Sequence, residues 1–190
     1  MKIKTIKFLK SATTADNSFD KKEIAIVGRS NVGKSTLINY LTNSKIAKAS
    51  SSPGRTRLIN YFMVNNDEFV FVDLPGYGYN QAGKQNSDSW GQMMEDYFTK
   101  SANLVNVLVL LDIRHKPSDK DLQMLEFLVY YNIPFTIVAT KADKLSRAEQ
   151  NKNRQMLATY TKQGVSNIYV VSALNRTGGD ELLTRLEQFL

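Results

Sequence analysis

Glu23-Ile24-Ala25-Ile26-Val27-Gly28-Arg29-Ser30-Asn31-Val32-Gly33-Lys34-Ser35-Thr36 is the stretch from which the rest of the chain can be read. An apolar run suited to a buried strand leads into Gly28 to Ser35, which matches G-x-x-x-x-G-K-[ST], and a segment suited to a helix follows. Strand, glycine-bearing loop and helix in that order make a cradle for phosphate. The glycines let backbone N–H groups converge on phosphate oxygens, and the helix N-terminus adds the positive end of its dipole. Lys34 places a point charge on the β and γ phosphates, and Ser35 is the expected Mg2+ ligand.

Working outward, short β-branched runs alternate with longer amphipathic segments, the pattern of an α/β sheet with helices on both faces. The expected strands are Glu23 to Val27, Arg57 to Val64, Glu68 to Asp73, Leu104 to Asp112, Pro134 to Thr140 and Asn167 to Val171. These form a six-stranded, mostly parallel sheet, to which Lys2 to Leu9 adds an N-terminal β extension followed by a polar connector, Ser11 to Asp20. Only Asn65-Asn66-Asp67 separates the second strand from the third, too short for a crossover helix, so that pair is expected to be an antiparallel hairpin. Ser118 with Asp121 and Ser146 with Glu149 read as capping boxes opening two helices. Trp90, Met93, Met94, Tyr97 and Phe98 share one helical face, and Gly178-Gly179-Asp180 precedes a final helix carrying Leu182, Leu183 and Leu186. One domain over residues 1–190 is expected, with residues 1–21 as extension and 22–190 as core.

A nucleoside triphosphate site also needs a carboxylate near the metal, and Asp73-Leu74-Pro75-Gly76 supplies one at the end of an apolar strand. Asp73 is expected to hold Mg2+ through water, and the Gly76 N–H to reach the γ-phosphate. Asp88-Ser89-Trp90-Gly91 has the same spacing but no preceding strand to aim its carboxylate. Farther on, the strand Pro134 to Thr140 runs into Thr140-Lys141-Ala142-Asp143, close to the N-K-x-D element that reads guanine. A carboxylate suits the guanine N1 and N2 donors, and adenine offers no matching pair, so Asp143 points to GTP. Ser172-Ala173 follows the last strand and supplies the backbone N–H expected at the guanine O6. Thr140 stands where the element has Asn, a change that bears on bracing of the phosphate loop more than on base choice.

Taken together, these motifs and the segments Pro53-Gly54-Arg55-Thr56, Asp73 to Tyr79, Trp90 and Asp112-Ile113-Arg114-His115-Lys116-Pro117-Ser118 resemble the EngB/YsxC (YihA) family of bacterial GTP-binding proteins. That family is implicated in large ribosomal subunit assembly, and the resemblance covers nearly the whole chain. It implies a P-loop GTPase fold, a nucleotide-dependent switch in assembly of the 50S subunit, and a requirement in cell division and septation. By that match the nucleotide contacts fall on Gly28, Arg29, Ser30, Asn31, Val32, Gly33, Lys34, Ser35 and Thr36, on Pro53, Gly54, Arg55 and Thr56, and on Asp73, Leu74, Pro75 and Gly76. The base contacts fall on Thr140, Lys141, Ala142 and Asp143 with Val171, Ser172 and Ala173. Thr56 becomes a second protein ligand of Mg2+ in a switch I segment, and residues 80–89 become a mobile switch II.

Lys34, Thr56, Gly76 and Asn31 are the candidates for stabilising phosphoryl transfer. The residue after the D-x-x-G glycine, often a Gln that orients the attacking water, is Tyr77, whose ring cannot substitute directly, so intrinsic turnover is expected to be slow. Asn31 admits two readings: a K+ ligand beside the phosphates, or a residue that tolerates a left-handed backbone in a tight loop. His115, the only histidine, sits just before the Ser118 cap and is assigned a structural or partner-binding role.

Composition narrows the partners. Lys and Arg number 25 against 18 Asp and Glu, a net charge of +7 that favours polyanions such as RNA. From Leu41 to Asn66 there are four basic residues and no acidic one, which gives switch I a positive field toward ribosomal RNA and protein. Cysteine is absent, which excludes disulfides and thiolate metal sites. The lysines of the N-terminus alternate with apolar residues without forming a signal peptide, and Leu104 to Leu111 falls well short of the ~20 residues that span a bilayer. A cytoplasmic monomer binding GTP or GDP is therefore the expectation. Two alternatives remain: a nucleotide-gated RNA-binding module with negligible hydrolysis, and an ATP-using P-loop enzyme, against which Asp143 and Ser172-Ala173 speak.

Overall fold

A computed structural model describes residues 1–15, 19–47, 58–77 and 84–190, with only the backbone described for 84–90. Within these residues seven strands form one sheet in the order β1-β3-β4-β2-β5-β6-β7. They are β1 (Ile6–Ala12), β2 (Glu23–Gly28), β3 (Ile59–Val64), β4 (Phe69–Asp73), β5 (Leu104–Asp112), β6 (Phe135–Thr140) and β7 (Ile168–Val170). β2 pairs in parallel with β4 and β5, β5 with β6, and β6 with β7, while β3 runs antiparallel to both β1 and β4. The expected single reversed strand is therefore β3, and β1 extends the sheet at its edge.

The reversal is built into the turn. Asn65, Asn66 and Asp67 all have positive φ, of 51°, 50° and 77°, a left-handed run that Asn and Asp tolerate better than other side chains. Asn65 also fastens the N-terminus: its Oδ1 accepts from Lys4 N at 2.7 Å and its Nδ2 donates to Lys2 O at 2.9 Å. These contacts correct the expected Lys2 to Leu9 strand. The ladder begins at Ile6, opposite the last residue of β3, Val64, and runs on to Ala12 opposite Ile59. Residues 2–5 are held by a side chain instead, and Ser11, expected in a connector, bonds Asn60 across the ladder.

Five helices cover the sheet: α1 (Lys34–Leu41), α2 (Lys84–Lys100), α3 (Asp119–Tyr130), α4 (Arg147–Thr161) and α5 (Gly179–Glu187). Alternation along β2 divides the core. Ala25 and Val27 pack with Tyr97 of α2, Leu128 of α3 and Leu157 of α4, whereas Ile24 and Ile26 pack with Leu37 of α1 and Leu186 of α5. Each Val, Leu or Ile side chain among these contributes about 1.5–3 kcal/mol on removal from water, so the period-2 pattern of β2 fixes both layers at once. The capping boxes at Ser118/Asp121 and Ser146/Glu149 are present, with both reciprocal bonds. Met94, Tyr97 and Phe98 are buried on α2 as their spacing requires, while the side chain of Trp90 lies outside the described residues. Among the described residues no helix is long and apolar enough to cross a membrane.

Candidate functional site

Because β2, β4, β5 and β6 are parallel, the segments that follow them emerge at one edge of the sheet, where α/β folds bind ligands. Residues 28–33, 74–77, 112–117 and 140–144 meet there. Gly33 is the N-cap of α1 with φ 113°, a conformation that requires glycine, and Asn31 has φ 63°. Left-handed geometry thus accounts for an asparagine at position 31 by the second of its two readings.

Two strands are stitched together beyond their ends. Leu74 N donates to Ile26 O at 3.1 Å, Tyr77 N to Gly28 O at 3.3 Å and Ser30 N to Tyr77 O at 3.0 Å. Gly76 lies against the phosphate loop as a result: a Cβ there would stand 2.9 Å from Lys34 Nζ and 3.0 Å from Ser30 N. Only glycine leaves the ammonium in place. Lys34 and Asp73 form a partly buried electrostatic pair. Burial lowers the Lys34 pKa and raises that of Asp73 to about 6, each shift opposed by the charge of the other. Asp73 Oδ1 is buried with no hydrogen-bond partner. An acceptor of that kind, beside an ammonium and a helix N-terminus bearing Ser35, fits a hydrated divalent cation accompanying a phosphate chain.

The base-side loops are organised by three side chains. Thr140 Oγ1 lies 2.8 Å from Val32 O and 3.2 Å from Leu111 O, so a hydroxyl braces the phosphate loop at the position where Asn was expected to do so. Asp143 accepts a 2.9 Å bond from the Ser172 hydroxyl. Burial opposes ionisation of Asp143, but Ser172, a backbone N–H and Lys144 outweigh it and hold its pKa low, so the group is a carboxylate acceptor at neutral pH. Ser172 N donates to Thr177 O at 3.1 Å, which leaves Ala173 as the residue of the Ser-Ala pair to offer an N–H.

Sequence reasoning missed two arrangements. Asp112 takes a two-pronged contact from Arg114, at 2.9 and 2.7 Å, and its Oδ2 also lies 3.1 Å from Lys141 Nζ. Burial works against this carboxylate, yet the two cations hold its pKa well below the usual range. Lys141, itself left-handed at φ 63°, is thereby clamped beside the Asp143 loop. The second is the direction of Tyr77: its ring is 3% exposed and its hydroxyl donates to Asp121 Oδ1 at 2.8 Å, while Asp121 Oδ2 caps α3 through Ser118. Asp112 was visible as part of a motif and Asp121 as a cap, but nothing local signalled their second partners. His115 is exposed on a cleft of about 240 Å3 lined also by Arg29, Asn31, Arg114 and Lys141. Pro53, Gly54, Arg55 and Thr56 lie outside the described residues, as do residues 80–83 of the segment expected to be mobile, whose remainder is helical from Lys84.

A family model described as 50S ribosome-binding GTPase matches residues 23–141, which include the phosphate loop, Asp73-Leu74-Pro75-Gly76 and the clamp at Asp112. A probable GTP-binding protein EngB of Clostridium kluyveri is 47% identical over 100% of this chain and 98% of its own length. The chain belongs to the EngB family of GTP-binding proteins. Another EngB relative, from Fusobacterium nucleatum, is 46% identical over 100% of this chain and 99% of its own. Among solved structures, the fold is similar to a crystal structure of a probable EngB, with TM-score 0.72 at 23% identity, covering 88% of this chain and 97% of that one. It is also similar to Era of Aquifex aeolicus carrying GDP and aluminium fluoride, with TM-score 0.69 at 25% identity over 88% of this chain and 56% of that one. Membership in EngB makes the site that of a GTPase domain.

Proposed function

We propose that this EngB-family protein is a slow GTPase acting as a nucleotide-dependent switch in assembly of the large ribosomal subunit in the cytoplasm, with a consequent requirement in cell division. The observation that carries the slow step is Tyr77: its hydroxyl is committed to Asp121 and its ring is buried, so the position that would orient water is turned away from the phosphates. Lys34 neutralises charge on the transferred phosphoryl group, the Gly76 N–H follows its presence, and Asp143 with Ala173 reads guanine. Ser35, Thr56 and Asp73 through water are the proposed holders of Mg2+, which when bound spreads the charge developing on the phosphate oxygens. Asn31 is retained as a K+ ligand to be tested.

The net charge of +7 and the description of the matching family model support the ribosomal partner. GTP turnover by the purified protein in KCl, with and without large-subunit particles, is the test. Strong stimulation by particles is expected, because a partner must complete what Tyr77 leaves unfinished. Tight GTP-dependent particle binding without stimulated turnover would instead establish a nucleotide-gated binding module. Equal single-turnover rates in matched KCl and NaCl would remove Asn31 from the ion site.

A further inference from the structure

The C-terminal end of α3 carries Phe127 and Tyr130, with Tyr131 as its C-cap, beside Glu95 of α2, and with Gln123 and Glu126 they line a shallow, widely open groove. Asp121, near the start of α3, touches Tyr77, whereas the groove runs from Gln123 along the helix to its C-terminal end, where Tyr130 and Tyr131 lie. Two features set it apart. Tyr130 is 78% exposed and Tyr131 38%, an aromatic surface that the core does not use. In a chain of net charge +7, the charged residues lining the groove are both acidic, Glu95 and Glu126, and neither forms a salt bridge among the described residues.

The groups are also mutually arranged. Tyr131 donates to Glu95 Oε1 at 3.1 Å, its ring stands 4.6 Å from Phe127 and 5.0 Å from Tyr130, and the two tyrosines meet edge to face at 84°. A ring held beside a carboxylate suits a guanidinium, which stacks on the aromatic face while donating to the oxygens in its plane. Phosphate-bearing partners are disfavoured there, since two carboxylates repel them. We infer that this groove is a docking site for an arginine-bearing segment of a basic protein. Its acidic lining contrasts with a nucleotide edge rich in cations, and the inference stands whether or not the ribosomal reading holds.

The test titrates the GDP-loaded full chain with a fluorescent synthetic arginine-glycine peptide at low salt. Saturable binding is expected, weakened about tenfold or more by Tyr130→Ser and by the double change Glu95→Gln, Glu126→Gln, with GDP affinity unchanged as the control for folding. A lysine-glycine peptide should bind more weakly than its arginine counterpart, because an ammonium cannot stack. Equal binding of the peptide by wild type and both variants would overturn the assignment. So would a dimer in sedimentation that Tyr130→Ser dissociates, which would make a second copy the occupant, or a ribosomal RNA fragment whose binding Tyr130→Ser abolishes while peptide binding persists.

Discussion

Glu23 opens β2 and Asp73 closes β4, and since Glu23 sits opposite Val70 and Ile26 opposite Asp73, the two carboxylates lie toward opposite ends of one parallel ladder. Burial raises the pKa of both. At Glu23 the protein answers with neutral donors: the hydroxyls of Tyr97 and Ser101 reach Oε2 at 2.8 and 2.9 Å and tie β2 to α2, while Oε1, like Oδ1 of Asp73, is buried without a hydrogen-bond partner. At Asp73 it answers with a partly buried cation, Lys34, whose own pKa is depressed, so neither charge is fully compensated. Hydroxyls settle a carboxylate into an architecture. A partly compensated ion pair at the N-terminus of α1 keeps a free-energy gain in reserve for a ligand that brings more charge of both signs.

The nucleotide end breaks most readily at the base. Asp143→Asn should lower GTP affinity by about 10^3-fold or more and shift preference toward XTP, because the amide mismatches the guanine donors and matches the xanthine carbonyl. Competitive binding of GTP and XTP reads this directly, and unchanged affinities for both would remove Asp143 from the base site.

The two carboxylates themselves are separated by pH. The folded pKa of Asp73, about 6, lies above its ordinary value of 3.8, so the folded chain holds the proton more tightly than the unfolded one. Its stabilising share is full below about 3.8 and is lost as pH rises through about 6, a fall of about 3 kcal/mol in nucleotide-free, Mg2+-free protein. Glu23 acts in the same direction, its contribution falling as pH rises above 4.5. Urea unfolding from pH 4.5 to 7.5 should therefore show a slope that Asp73→Asn and Glu23→Gln each reduce, with only Asp73→Asn also impairing GTP binding in Mg2+. A slope untouched by Asp73→Asn would mean that Lys34 compensates that carboxylate fully.

How much of this was legible in the sequence depended on the range of the interaction. The phosphate loop, the capping boxes and the Asn65-Asn66-Asp67 turn are written in residues a few positions apart, and each formed where its pattern placed it. The start of β1 was not legible, since lysines alternating with apolar residues do not say where the partner strand ends. Thr140 lies 108 residues from Val32, so its hydroxyl bond is a consequence of β6 lying beside β5 and could not be read from either segment. The clamp of Asp112 on Lys141 has the same origin, the pairing of Asp112 with Thr140.

That long-range brace gives a smaller effect. Thr140→Val leaves Val32 O without its donor and should cost about 1–3 kcal/mol in stability, with GDP affinity falling about tenfold as the phosphate loop loosens. Thr140→Ser should restore both, since only the hydroxyl is at issue. Loss of affinity in the serine variant as well would mean that the methyl group, through packing, holds the loop.

The smallest effect is the most informative about chemistry. Tyr77→Phe removes the hydroxyl from Asp121 Oδ1 but leaves Asp121 Oδ2 on Ser118, so the cap of α3 survives and the cost should be about 1 kcal/mol. Because the ring is already buried, intrinsic GTP turnover should not change, and any stimulation by a partner should persist. If the hydroxyl reached water during the reaction, the Asp121 bond would have to break first, and Tyr77→Phe would slow turnover by an order of magnitude or more. Single-turnover hydrolysis by the two proteins therefore separates a tyrosine that anchors the segment after β4 to α3 from one that swings in as a donor.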